Sequence, residues 1–211
     1  MPKLYSIRPT LTLKGRKFRG LRGWAGKPLH PPLTDIPVTC YLLAGAFDVV
    51  SYIASRSEHG RVAHDFFVAG TLVIVAGFLV GLLAALTGFM DWWKGMARKP
   101  NSGFIGEAQH TQAWRTANWH MTVMLTVTAI VVIDILLRWS SFNDRFATLP
   151  VTILSVLAAG LVSVGAAYGG TLVYEYQFNV EDMKGSTVWD ETEIDQFPGD
   201  RKRTPPVPPA E

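Results

Sequence analysis

Charge is scarce in this chain and cysteine is nearly absent. Only 18% of the 211 residues are charged, where a soluble domain carries about a quarter. That shortage argues against a soluble enzyme built on one core, and against a disordered chain, which needs polar residues throughout. The single cysteine, Cys40, excludes an intrachain disulfide framework, a cysteine-based zinc site and a cysteine-ligated iron–sulfur cluster. There is no G-x-S-x-G, no HExxH and no phosphate loop, so no familiar hydrolase constellation is present. No secretory signal is expected, because the first apolar block starts near Ile36, late and without a small-residue cleavage site.

What is abundant is apolar residues, at 48%, and they are gathered in four blocks. The first, Ile36–Ile53, is interrupted by Asp48; the second, Phe66–Met90, has no charge. The third, Ala117–Leu137, holds His120 near its start and Asp134 near its end, and the fourth, Val151–Tyr174, is uncharged. About 20 helical residues cross a hydrocarbon core of roughly 30 Å, and backbone in lipid must bond internally. The expected fold is therefore all-α, a four-helix transmembrane bundle. Its helices fall at about 36–54, 66–90, 117–138 and 151–175, between an N-terminal segment 1–35 and a tail 177–211, with 36–176 the membrane domain.

Orientation follows from the Lys/Arg distribution. Eight precede Asp35, four lie between Asp91 and Thr116, and four follow Tyr174; the other two connections hold Arg56 and Arg61, and Arg138 and Arg145. Sixteen against four predicts that both termini and the Asp91–Thr116 loop are cytoplasmic. Trp92, Trp93 and Trp119 then mark the inner interface and Trp139 the outer. The basic stretch Leu11–Trp24 is expected against anionic lipid headgroups rather than nucleic acid. The acidic, proline-rich tail from Glu181 is expected to be extended or disordered. Gly77 with Gly81, and Gly165 with Gly169, are small-residue pairs that let membrane helices approach.

Against this apolar background the polar residues are informative. Topology brings His30, Asp91, His120 and Glu175 to the inner face. Two imidazoles and two carboxylates are ordinary ligands for a divalent metal. Equally, His120 can bond a neighbouring helix, His30 can cap the first, and Asp91 can accept from an indole or Lys94. Haem b is the other cofactor to consider, and only His30 can join His120 at similar depth as an axial pair. Asp48 and Asp134 form a second set, intramembrane acids in the outer half. Such acids relay protons, bind cations, or pair with Arg56, Arg61 or Arg138.

The run His30-Pro31-Pro32-Leu33-Thr34-Asp35-Ile36-Pro37, Asp48, then Leu86-Thr87-Gly88-Phe89-Met90-Asp91-Trp92, His120 and Gly169-Gly170-Thr171-Leu172-Val173-Tyr174 resembles a known family. It is similar to bacterial four-helix inner-membrane proteins grouped under domain of unknown function 2231, over about residues 30–180. The resemblance implies an inner-membrane location and four helices. Some relatives carry a fused Rieske iron–sulfur domain, which implies a respiratory redox setting; this chain has no Cys-x-His pair for one. The segment after Tyr174 and the longer Lys94–Arg115 loop depart from the family pattern, so the resemblance carries no role onto Glu175.

Three functions are expected from these features. The leading one is a non-catalytic subunit or partner of a larger membrane assembly. The second is a haem- or metal-binding redox protein using His30 and His120, with Asp91 and Glu175. The third is a small transporter using Asp48.

Overall fold

The computed structural model describes residues 21, 28–96, 110–140 and 146–180. Among these residues lie four helices: α1 (His30–Ala54), α2 (Gly60–Gly95), α3 (Gln112–Ser140) and α4 (Leu149–Tyr174). All four are long and apolar enough to cross a membrane. The basic segment before Leu21 and the acidic tail after Val180 lie outside the described residues.

Every helix begins before its apolar block. A helix does not stop where lipid stops; it stops where its backbone loses local support. Pro31 and Pro32 occupy the first turn of α1, where the missing N–H groups have no intrahelical partner to lose. Pro37 lies further in, and a membrane helix tolerates it. The 36 residues of α2 extend about 54 Å. It therefore projects well beyond the hydrocarbon, with His64 and Asp65 exposed near one end and Trp93 and Lys94 near the other.

The helices run up, down, up, down. Residues 55–59 join α1 to α2, and residues 141–148 join α3 to α4. α1 packs against α2 and α4, and α3 packs against α4, while α2 and α3 meet least closely. One end of the bundle thus holds both short connections and is called the hairpin end. At the other, the termini end, α1 and α3 begin and α2 and α4 finish.

Small and β-branched residues fill the centre: Ala44 of α1, Ile74 of α2, Val127 and Val131 of α3, Ala158 and Val162 of α4. Large leucines face outward, including Leu72, Leu79, Leu83 and Leu136. In water that exposure would promote aggregation, but in a bilayer lipid covers it as well as a core would. Both glycine pairs lie at helix contacts. A Cβ on Gly77 would stand 2.6 Å from Cys40 Cβ, and one on Gly81 3.0 Å from the Tyr41 hydroxyl, so α1 and α2 meet there. Gly165 packs on Met124 and Gly169 on His120, joining α4 to α3.

At the termini end, the chain leaves α4 through Gln177, whose φ is 48°. Phe178 folds back, donating its N–H to the Leu172 carbonyl at 2.8 Å, and packs with Trp92 and Trp114 over Met96, Ala117 and Leu172.

Candidate functional site

Polar side chains gather at two depths inside the bundle, one near each end.

Near the hairpin end, Asp134 and Arg138 stand one turn apart on α3, and Asp48 faces them from α1. The three are 0%, 1% and 0% exposed in the order Asp134, Arg138, Asp48. Arg138 Nε donates to Asp134 Oδ1 at 3.1 Å and Nη2 to Asp134 Oδ2 at 3.2 Å. Nη1 donates to Asp48 Oδ1 at 3.1 Å and to the Thr71 hydroxyl of α2 at 3.2 Å, and Nη2 donates to Asp48 Oδ2. A guanidinium has five N–H donors in a planar fork, and here all five are engaged. The Ser155 hydroxyl of α4 adds a contact to Asp48, and the Phe67 ring lies 5.8 Å from the guanidinium carbon. Gly70 makes the room, since a Cβ there would meet Asp48 Oδ1 at 3.0 Å.

All four helices therefore converge on one ion centre. Burying charge in a low-dielectric interior costs several kcal/mol per ion, offset only by good geometry and full hydrogen bonding. The fork supplies both, and each Asp48 oxygen is taken by Arg138. From the sequence, Arg138 counts as a charge of the outer connection; in the structure it is a core residue. The legible signal was its spacing of four from Asp134, which puts both on one helix face.

Near the termini end, His30 and His120 come together from α1 and α3, which are diagonal partners in the bundle. Their ring centres are 6.1 Å apart and their planes 83° apart. His30 does not cap α1, whose first turn has no side-chain cap; its Nδ1 bonds the Ala84 carbonyl of α2 at 2.9 Å. His120 Nδ1 bonds the Gly165 carbonyl of α4 at 2.8 Å. A carbonyl oxygen only accepts, so Nδ1 carries the proton in each ring and Nε2 holds the free lone pair.

Glycine creates both berths. A Cβ on Gly88 would lie 2.6 Å from His30 Cε1, and one on Gly169 3.3 Å from His120 Cε1. Any side chain at Gly88 would displace the imidazole. Nothing in the sequence marked Gly88 as a shelf for His30, because the two are distant in the chain.

The four-ligand set expected from topology is not assembled. Among the described residues no group of three or more His, Cys, Asp and Glu side chains is placed to hold a metal. Glu175 is exposed on the turn that ends α4, where helix periodicity carries it away from the bundle axis. Asp91 is buried, with a contact to the Leu21 N–H, and its Oδ1 has no partner among the described residues. The Trp92 indole donates instead to Asn118 of α3 at 3.0 Å. Of the three arginines expected as partners for the intramembrane acids, Arg138 is the one that pairs with them, whereas Arg56 bonds the Tyr52 hydroxyl at 2.6 Å.

Residues 26–182 match the model of a family described as predicted membrane protein (DUF2231), and the chain belongs to that family. No curated protein and no solved structure matches it.

Proposed function

With membership of that membrane-protein family as the premise, we propose that this chain is a redox subunit of a larger membrane assembly. It carries electrons through a metal centre held by His30 and His120 and has no catalytic chemistry of its own. The observation that supports this is the histidine pair. Two imidazoles from diagonal helices share one locus, and each has Nδ1 committed to a backbone carbonyl. A metal-ligating histidine is usually anchored in this way through its other ring nitrogen, which fixes the tautomer and aims the ring. A histidine kept only for packing needs no partner of the same kind 6.1 Å away.

The proposal includes placement in a bacterial inner membrane with the termini end cytoplasmic. Sixteen Lys/Arg flank that end, against three at the other once Arg138 is counted within the core. The basic N-terminal segment then meets anionic headgroups. Transport through Asp48 has less support, because both of its oxygens are held by Arg138.

Purification of the full chain from native membranes in mild detergent tests the proposal. Stoichiometric transition metal, lost in His30→Ala and His120→Ala, is the expected result, together with a co-purifying membrane protein. A metal-free, solitary protein that is stable and monodisperse would refute it.

A further inference from the structure

The spacing of the two rings restricts which metal group they can hold. A metal–imidazole bond is about 2 Å, and a ring nitrogen sits a little over 1 Å from the ring centre. Two imidazoles on opposite sides of one metal thus have centres roughly 6 Å apart. His30 and His120 are at 6.1 Å. Two imidazoles sharing a tetrahedral ion subtend a smaller angle and stand nearer each other, so the 6.1 Å spacing favours the trans arrangement.

Ligand number leads the same way. A zinc site takes three or four protein ligands, and calcium or magnesium takes oxygen donors. Among the described residues no third His, Cys, Asp or Glu completes a metal group. A haem iron brings four ring nitrogens of its own and asks the protein only for the two axial positions. Gly88 and Gly169 flank the imidazoles, and α2 and α3 meet least closely of the neighbouring helices.

We infer that His30 and His120 are the axial ligands of a non-covalently bound haem b iron, set near the termini end of the bundle. This rests on the reading of the pair as a redox metal centre and names the cofactor. Nε2 is the ligating atom of each ring, since Nδ1 is bound to Ala84 or Gly165. Attachment is non-covalent because a c-type thioether needs cysteines beside a ligand histidine, and the single cysteine, Cys40, stands beside neither. The carbonyls lie on different helices and hold the ring planes 83° apart. Bound iron therefore has near-perpendicular axial planes, and its ferric form gives a strongly anisotropic low-spin electron paramagnetic resonance signal.

The test is expression of the full chain in bacterial membranes supplied with haem precursor, followed by detergent purification. Absorption spectra, a pyridine haemochrome assay and elemental analysis for iron and copper are then read on one sample. One haem b per chain in a six-coordinate low-spin spectrum is the expected result. His30→Ala or His120→Ala should become high-spin and regain the low-spin spectrum with added imidazole. His30→Met, which keeps an axial donor, covers the case in which the alanine variant fails to fold, and should bind haem with an altered spectrum. Stoichiometric copper without porphyrin overturns the haem assignment but leaves the paired-imidazole reading standing. Neither metal nor haem overturns both. An unchanged low-spin haem in the double alanine variant places the ligands elsewhere and overturns the assignment.

Discussion

Arg138 and Asp48 are 90 positions apart in the chain, yet they close a two-pronged ion pair in the interior, where neither is more than 1% exposed. The pair ties α1 to α3 across the bundle diagonal, and the same guanidinium grips Asp134 and Thr71. At the other end, His30 and His120 span the same diagonal. The two polar sites thus close the bundle from both ends around an apolar middle.

Removing Arg138 should destabilise the fold far more than removing the whole centre. Arg138→Gln leaves two carboxylates buried without a cation, and breaking such a pair costs about 3–5 kcal/mol. Replacing Asp48, Asp134 and Arg138 together by Leu, Leu and Met should be neutral or stabilising, because apolar groups need no ion partner there. Thermal unfolding in detergent, followed by circular dichroism, measures both. If the triple variant proves as unstable as Arg138→Gln, the centre has a role beyond balancing its own charges.

The two glycine shelves should differ in sensitivity. Gly88→Ala sets a methyl 2.6 Å from His30 Cε1, whereas Gly169→Ala sets one 3.3 Å from His120. The first must push the imidazole off the Ala84 carbonyl; the second asks for a shift of a few tenths of an ångström. Metal content and the absorption spectrum should change strongly in Gly88→Ala and weakly in Gly169→Ala.

Helix approach at Gly77 is equally specific. Gly77→Ala should cost about 1–3 kcal/mol, as overpacking does, because its methyl meets Cys40 Cβ at 2.6 Å. Adding Cys40→Gly removes the struck atom and should restore part of the loss. The remainder belongs to Tyr41, whose ring would lie 3.0 Å from the same methyl. Denaturation midpoints of the single and double variants give the comparison.

Ser51 is the clasp of the hairpin end. Its hydroxyl donates to the Ala63 carbonyl at 2.7 Å and accepts the Ala147 N–H at 2.9 Å, so one buried atom ties the first turn of α2 to the connection that leads into α4. Ser51→Ala leaves that N–H without a partner, at about 1–3 kcal/mol. Amide exchange at Ala147 should accelerate more than exchange at Val131 in mid-bundle. Equal acceleration at both would mean a global rather than a local effect.

The helix count and the membrane class were legible from composition alone, since about 20 apolar residues in a row have few alternatives to a spanning helix. Helix ends were less legible. The flanks at Gly60–Asp65 and Gln112–Thr116 are polar, and hydropathy reads lipid contact rather than backbone bonding. The rarity of charge also marked Asp48, Asp134, His30 and His120 as residues to explain. It did not say what they would meet.

The sequence by itself determined that four apolar helices must cross a bilayer and that few polar residues would lie within them, because unpaired polar groups are costly in hydrocarbon. Only the tertiary structure decided their partners. It joined His30 to His120, left Glu175 outside, and moved Arg138 from a surface loop into the core between two aspartates. The physical reason is that hydropathy sets depth along a helix axis. Which face of which helix meets which depends on close packing at Gly70, Gly77, Gly88 and Gly165, and that packing exists only once all four helices are assembled.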